Sequence, residues 1–254
     1  MVQLYLNSVA LGLYTAGYNL ATYATEIIIY PLNNAMTPIY MNILVQKGEQ
    51  ETKEFFTRAL RYFLLIITPI TFGFIAVGKD LIAFLASYKY LDAYSVIPYV
   101  IIGQSIYACS LILNNGLFIK KKTHIVTNVI LVTCLLNVGI NMILIPHFGI
   151  LGAAQATLIS NVFYTFTITY YAFKELSFRI DYSRIILYLA IAMVMFLLIK
   201  DIDGGSPLRN LFIKIPVGAI FYALCIMIFD KDVRRIVINM KDKFKVANLK
   251  LPTR

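Results

Sequence analysis

The sequence predicts an all-α integral membrane protein of about seven transmembrane helices, and three observations carry that prediction. Charged residues make up only 14 % of the 254 positions, where a water-soluble domain needs about a quarter to cover its surface. The mean hydropathy of +0.74 says the same, so hydrocarbon must solvate much of the outside. The charges that exist lie between long uncharged runs instead of being scattered along the chain.

A bilayer core takes ~20 apolar residues per helix, which sets the length to look for. Between positions 2 and 46 the only charge is Glu26, and that stretch is too long for one helix. The glycines of Gly12–Gly17 predict a turn, dividing it into a remnant over 2–14 and a full helix over 18–42. Further runs span 62–78, 93–119, 125–146 and 148–173. The last two, 185–199 and 215–229, are short, but the neighbouring Arg184, Lys200 and Lys214 can snorkel to lengthen them. This divides the chain into a lobe over 1–175, an accessory helix pair over 176–230 and a basic tail over 231–254.

The loops test that count. If the helices alternate direction, eighteen Lys and Arg residues collect on one side and five on the other. The richer side then belongs to the cytoplasm, together with the C-terminus, in a cytoplasmic (inner) membrane. The chain's start falls outside with no helix to carry it there. The uncharged run beginning at Met1 also lacks the basic region and cleavage site of a leader. Both predict a cut or split protein whose preceding segment is absent. Lys47–Arg61 is predicted as an exposed helix with Glu49–Lys53 and Glu54–Arg58 at i,i+4 spacing. There Phe55, Phe56, Ala59 and Leu60 would lie at the bilayer surface.

The net charge of +10 does not point to nucleic acid, because the cations sit where insertion places them. Cys109, Cys134 and Cys225 lie in apolar runs without a metal-ligand spacing, and His124 and His147 flank one run at its two ends. No phosphate loop, metal pattern or nucleophile motif is present, so no enzyme, cofactor or metal is expected.

What remains is a set of polar groups inside apolar runs. Glu26 is costly at that depth unless it faces water, has a partner or is protonated. Asn33, Asn34, Asn114, Asn115, Asn137, Asn141 and Gln155 supply amides, which offer donor and acceptor together and suit sugar hydroxyls. They serve equally as glue between membrane helices. Taken as a set they predict a hydrated, uncharged cavity. Eighteen tyrosines without a tryptophan, with Tyr88, Tyr90, Tyr94 and Tyr99 at a run end, fit an interfacial belt.

Residues 137–160, NVGINMILIPHFGILGAAQATLIS, carry a resemblance. A helix with spaced asparagines ends in Ile-Pro, turns through His-Phe-Gly and enters a Gly-Ala-Ala helix. GLYTAGYNLA (12–21), PLNNAMTPIY (31–40), YKYLDAYSVIP (88–98) and GLFIKKKTHIVTN (116–128) support it in order and spacing. The chain thus resembles, over residues 1 to about 175, the C-terminal half of polysaccharide-biosynthesis flippases. These are the O-antigen-type repeat-unit exporters of the multidrug/oligosaccharidyl-lipid/polysaccharide exporter superfamily. The resemblance implies one lobe of a two-lobe fold around a central cavity, here with an extra helix pair. It also implies export of polyprenyl-diphosphate-linked oligosaccharide by alternating access, with the missing N-terminal lobe and the lipid bilayer as partners. Arg58, Arg61, Lys120, Lys121 and Lys122 are then candidates to meet the diphosphate headgroup. The chain departs from the family's pattern at Ala86-Ser87, where many members carry a glycine. Two other functions remain open at this point: an ion-coupled multidrug exporter of the same superfamily, and a membrane polysaccharide polymerase or glycosyl transferase.

Overall fold

The computed structural model describes residues 2–235 and 238. Those residues form helices joined by short links, with no strand among them. In chain order the helices are α1 (Val2–Tyr5), α2 (Ser8–Lys47), α3 (Glu49–Leu85), α4 (Ile97–Ile119), α5 (Thr123–Glu175), α6 (Tyr182–Ile199) and α7 (Pro207–Phe229). A 3-10 segment, Tyr88–Ser95, links α3 to α4. The basic tail expected over 231–254 lies mostly outside the described residues.

Five of these helices, α3 to α7, are long and apolar enough to cross a membrane. Only 11 % of the most apolar stretch of α5 is buried within the lobe. A surface of that kind is stable in hydrocarbon and not in water. The protein is a multi-pass membrane protein.

The expected turn at Gly12–Gly17 does not exist. The chain breaks earlier, at Leu6–Asn7, where the Asn7 Oδ1 accepts from the Ala10 N–H at 2.8 Å and starts a 40-residue helix. Gly17 is instead a contact point: a Cβ there would meet the carbonyl oxygen of Ala93, so the glycine lets α2 lie against the 3-10 segment. The expected surface stretch at 55–60 also turns inward. Phe56 and Leu60 are buried, with Phe56 between the rings of Tyr40 and Phe178. The reason is that α3 begins at Glu49 and runs straight into its membrane-spanning part, so its apolar face stays on the lobe.

The long α5 is a hairpin of two arms, as the separate apolar runs 125–146 and 148–173 required. Gly149 leaves helical geometry at φ 59° and ψ −133°, three residues after Pro146. Gly152, whose Cβ would meet the Leu144 carbonyl, permits the second arm to fold back on the first. Asn137 Nδ2 then donates across the hairpin to the Ala156 carbonyl at 3.3 Å and to Ser160 Oγ at 3.0 Å. Two apolar clusters fill the bundle of α2 to α5, one around Phe63, Ile112 and Ile168, the other around Val96, Ile97 and Ile101. A third, around Tyr188, Met195 and Tyr222, joins α6 and α7 to α3.

Candidate functional site

Helix α2 carries Glu26 with several amides and hydroxyls, and it is not among the five apolar spans. Its buried side carries Gly17, Ala21, Thr25, Met36 and Tyr40. Another side carries Thr15, Asn19, Thr22, Glu26, Tyr30, Asn33 and Thr37, at steps of three and four residues. That spacing keeps them in one line along a helix. All seven residues are exposed or half-buried, and the line faces away from the packed interior except at Thr22, whose Oγ1 is buried without a hydrogen-bond partner. Glu26 sits at its middle.

Sequence reading had picked out Glu26 and Asn33 from this line and missed the other five. The signal was a seven-residue polar repeat, hidden by dividing the helix at Gly12–Gly17. Asn34 is exposed but lies about 100° around the helix from Asn33, beside the line and not in it.

The other amides go elsewhere. Asn114 and Asn115 are buried inside α4: Asn114 Nδ2 donates to Tyr164 Oη at 3.2 Å, and Asn115 Nδ2 to the Leu111 carbonyl at 3.1 Å. Asn141 Nδ2 donates to the Asn137 carbonyl and to Asn137 Oδ1, at 2.8 and 2.9 Å. Asn114 thus ties α4 to α5, Asn115 and Asn141 bond within their own helices, and none of the three lines open space. Gln155 is half-buried on the second arm of α5.

The cationic candidates divide in the same way. Lys120 reaches Glu49 at 2.7 Å and Lys122 reaches Glu175 at 2.7 Å, so both brace the links between helices. Lys121 is exposed at φ 57°. Arg61 is far from free. It donates to Asp230 at 2.8 Å, to Asp232 at 2.9 Å and to Tyr188 Oη at 3.1 Å. Arg184 joins it, 3.2 Å from Asp230. Burial by itself would raise the Asp230 carboxyl, but the hydrogen bonds from Tyr188 and Arg61 outweigh it and hold it down at about 2. Arg61 therefore ties α3 to both accessory helices. At the far end of α3, Asp80 accepts from Lys214 and from Asn210, each at 2.8 Å, and repeats the arrangement. Lys214 is buried in this pair and does not snorkel.

Between these two clamps lies an apolar groove of about 740 Å³, walled by Pro69, Phe74 and Val77 of α3 and by Met195, Ala219 and Tyr222 of α6 and α7. Arg58, by contrast, opens into a polar cleft of about 780 Å³ at the N-terminal end of α3.

Comparison with known proteins fits this arrangement. A family model described as polysaccharide biosynthesis protein matches residues 1–95. The probable low-salt glycan biosynthesis flippase Agl15 of Haloferax volcanii is 24 % identical over 187 residues, covering 72 % of this chain and 39 % of its own. The solved lipid II flippase MurJ, in an inward closed conformation, superposes with a TM-score of 0.68 at 14 % identity. That match covers 89 % of this chain and 51 % of MurJ, and at such identity it shows the fold alone. The chain spans about two fifths of the curated relative's length and about half of MurJ's.

Proposed function

We propose, for a chain whose matches support membership of a polysaccharide-biosynthesis flippase family, that it forms one lobe of a two-lobe exporter. Its cargo in this reading is an oligosaccharide on a polyprenyl diphosphate, passed outward across the cytoplasmic membrane by alternating access. The C-terminus lies in the cytoplasm.

The observation that carries the reading is the polar line on α2. A sugar crossing hydrocarbon must exchange its water hydrogen bonds for others along the whole path, since each one left unmade costs about 1–3 kcal/mol. Six hydroxyl, amide and carboxylate groups spaced along one helix, those of the line other than the buried Thr22, supply such a path. None of them is a fixed cation, so the path favours neutral hydroxyl-rich cargo. The line faces away from its own lobe, which suits a second lobe closing on it from across a cavity, the usual place for transporter substrate sites. A lipid tail needs no such exchange and can stay in hydrocarbon or in the apolar groove. No bond is made or broken in this process, and rocking of one lobe against the other suffices.

The test is export of lipid-linked oligosaccharide in a strain lacking its own flippase. Co-expression of this chain with a complementary N-terminal lobe should restore export, and this chain alone should not. Glu26→Gln and Asn33→Leu should each lower the restored flux by about tenfold, equivalent to about 1.4 kcal/mol. Full export from the lone chain, or unchanged flux in both variants, would overturn the reading.

A further inference from the structure

At one end of the bundle, the cleft containing Arg58 is built by two elements that have no other role in common. The first wall is the opening of α3, where Gln50, Lys53, Glu54 and Thr57 recur at three- and four-residue steps and Arg58 follows. The second is the link between α5 and α6, which is extended and non-helical over its central residues. In an extended chain successive side chains point to opposite sides. Leu176 and Phe178 accordingly point into the lobe, Leu176 against Gly116 and Phe178 against the rings of Phe56 and Phe173. Ser177 and Arg179 point out, into the cleft. The two buried anchors fix where those outward side chains start, so the second wall is preformed.

The ion pairing around this cleft is uneven. Lys120, Lys122, Arg61 and Arg184 at the same end of the molecule each have a carboxylate partner. Lys53 has Glu49 at 3.0 Å. Arg58 and Arg179 have none among the described residues, and Glu54, expected to pair with Arg58, does not do so. Two guanidinium groups on facing walls, with the Ser177 hydroxyl beside them, outnumber the one carboxylate of the cleft, Glu54; the Thr57 hydroxyl already donates to the Lys53 carbonyl at 3.1 Å. Guanidinium forks fit phosphate oxygens in pairs, and one fork on each wall suits two linked phosphoryl groups.

We propose that this cleft, formed by Lys53 and Arg58 of α3 and by Ser177 and Arg179 of the α5–α6 link, binds the diphosphate headgroup of a membrane lipid. It lies at the end that the Lys and Arg distribution assigns to the cytoplasm. It is level with the start of α6 and hence with the headgroup layer, where basic pockets between helices take phosphorylated lipids. The cleft is the loading point, separate from the polar line on α2. Glu54 in its wall opposes the ligand's charge and keeps the hold weak enough for release. The identity of this ligand rests on the flippase reading, but its binding does not require transport.

The experiment is equilibrium binding by the full chain in phosphatidylcholine nanodiscs, with fluorescent polyprenyl diphosphate as the probe. Arg58→Gln and Arg179→Gln should each weaken binding at least tenfold, and Glu54→Gln should tighten it severalfold. All three side chains are exposed, and unchanged thermal unfolding checks that the variants still fold. Two competitor arms distinguish the sources of phosphate: inorganic pyrophosphate in solution, and phosphatidylglycerol in the disc. The proposal requires both to compete at least tenfold more weakly than unlabelled polyprenyl diphosphate. Equal competition by pyrophosphate would make this a soluble-anion site, and equal competition by phosphatidylglycerol a general lipid contact. Either result, or binding unaffected by both arginine changes, overturns it. Binding that behaves as expected alongside failed export would leave the cleft intact and sink the transport reading instead.

Discussion

Ser87 shows what a single position can carry. It lies between α3 and the 3-10 segment at φ 101° and ψ 155°, in the region that suits glycine, and its side chain caps nothing. Sequence resemblance had marked this point as one where related chains carry glycine, without giving a reason. The backbone supplies the reason: the chain must reverse sharply between Leu85 and Tyr88 so that α2 can meet Ala93 at Gly17. A serine held there stores about 1 kcal/mol or more of strain. Ser87→Gly should therefore raise the unfolding midpoint of the detergent-solubilised chain, corresponding to about 0.5–1 kcal/mol after the entropic cost of glycine. Thermal unfolding of the two proteins side by side checks it. A lower midpoint would show that the serine conformation is not strained.

The accessory pair α6 and α7 teaches a different lesson at the scale of the element. Arg61 and Asp80 stand 19 positions apart on α3, about 28 Å of helix and close to the thickness of a bilayer core. Polar clamps so placed sit near the two membrane faces, while apolar contacts around Met195 and Tyr222 fill the space between. Breaking one partner of such a buried pair strands the other and costs about 3–5 kcal/mol. The first clamp should also be sensitive to acid. The Asp230 carboxyl is held below its ordinary value of 3.8, at about 2, so its contribution is fully present above about pH 4 and is lost as pH falls through about 2. The distance between spin labels placed on α3 and α6 should lengthen and broaden over that interval. Asp230→Asn should abolish the pH step. A pH-independent spin-label distance in the unaltered protein would refute the clamp's part in docking the pair.

For the molecule as a whole, direction follows from the alternation of helices. The link at Lys120–Lys122 and the link at Gly204–Gly205 should lie on opposite faces of the membrane, because three spans separate them: the two arms of α5, then α6. Reporter fusions active on only one face should therefore light up at Lys121 or at Gly204, never at both. A shared signal would mean that α5 is a single crossing. The same alternation puts the diphosphate cleft and the Arg61 clamp on one face and the Asp80 clamp on the other.

Composition and charge order alone determined that the chain crosses a bilayer more than once, and they predict which face its cations prefer. These properties follow from transfer energies summed along the chain, so they need no knowledge of neighbours. Even the α5 hairpin was legible, because Pro146 and Gly149 act on their own backbone. Which polar groups stay open was decided only by tertiary structure. Arg61 and Arg58 are three residues apart and chemically identical, yet one is spent on Asp230, 169 positions away, and the other faces an unfilled cleft. Asn33 and Asn114 differ in the same way, one turned out on α2 and the other buried against Tyr164. A side chain's availability depends on what packs beside it, and that pairing is made by folding over distances that local spacing does not encode.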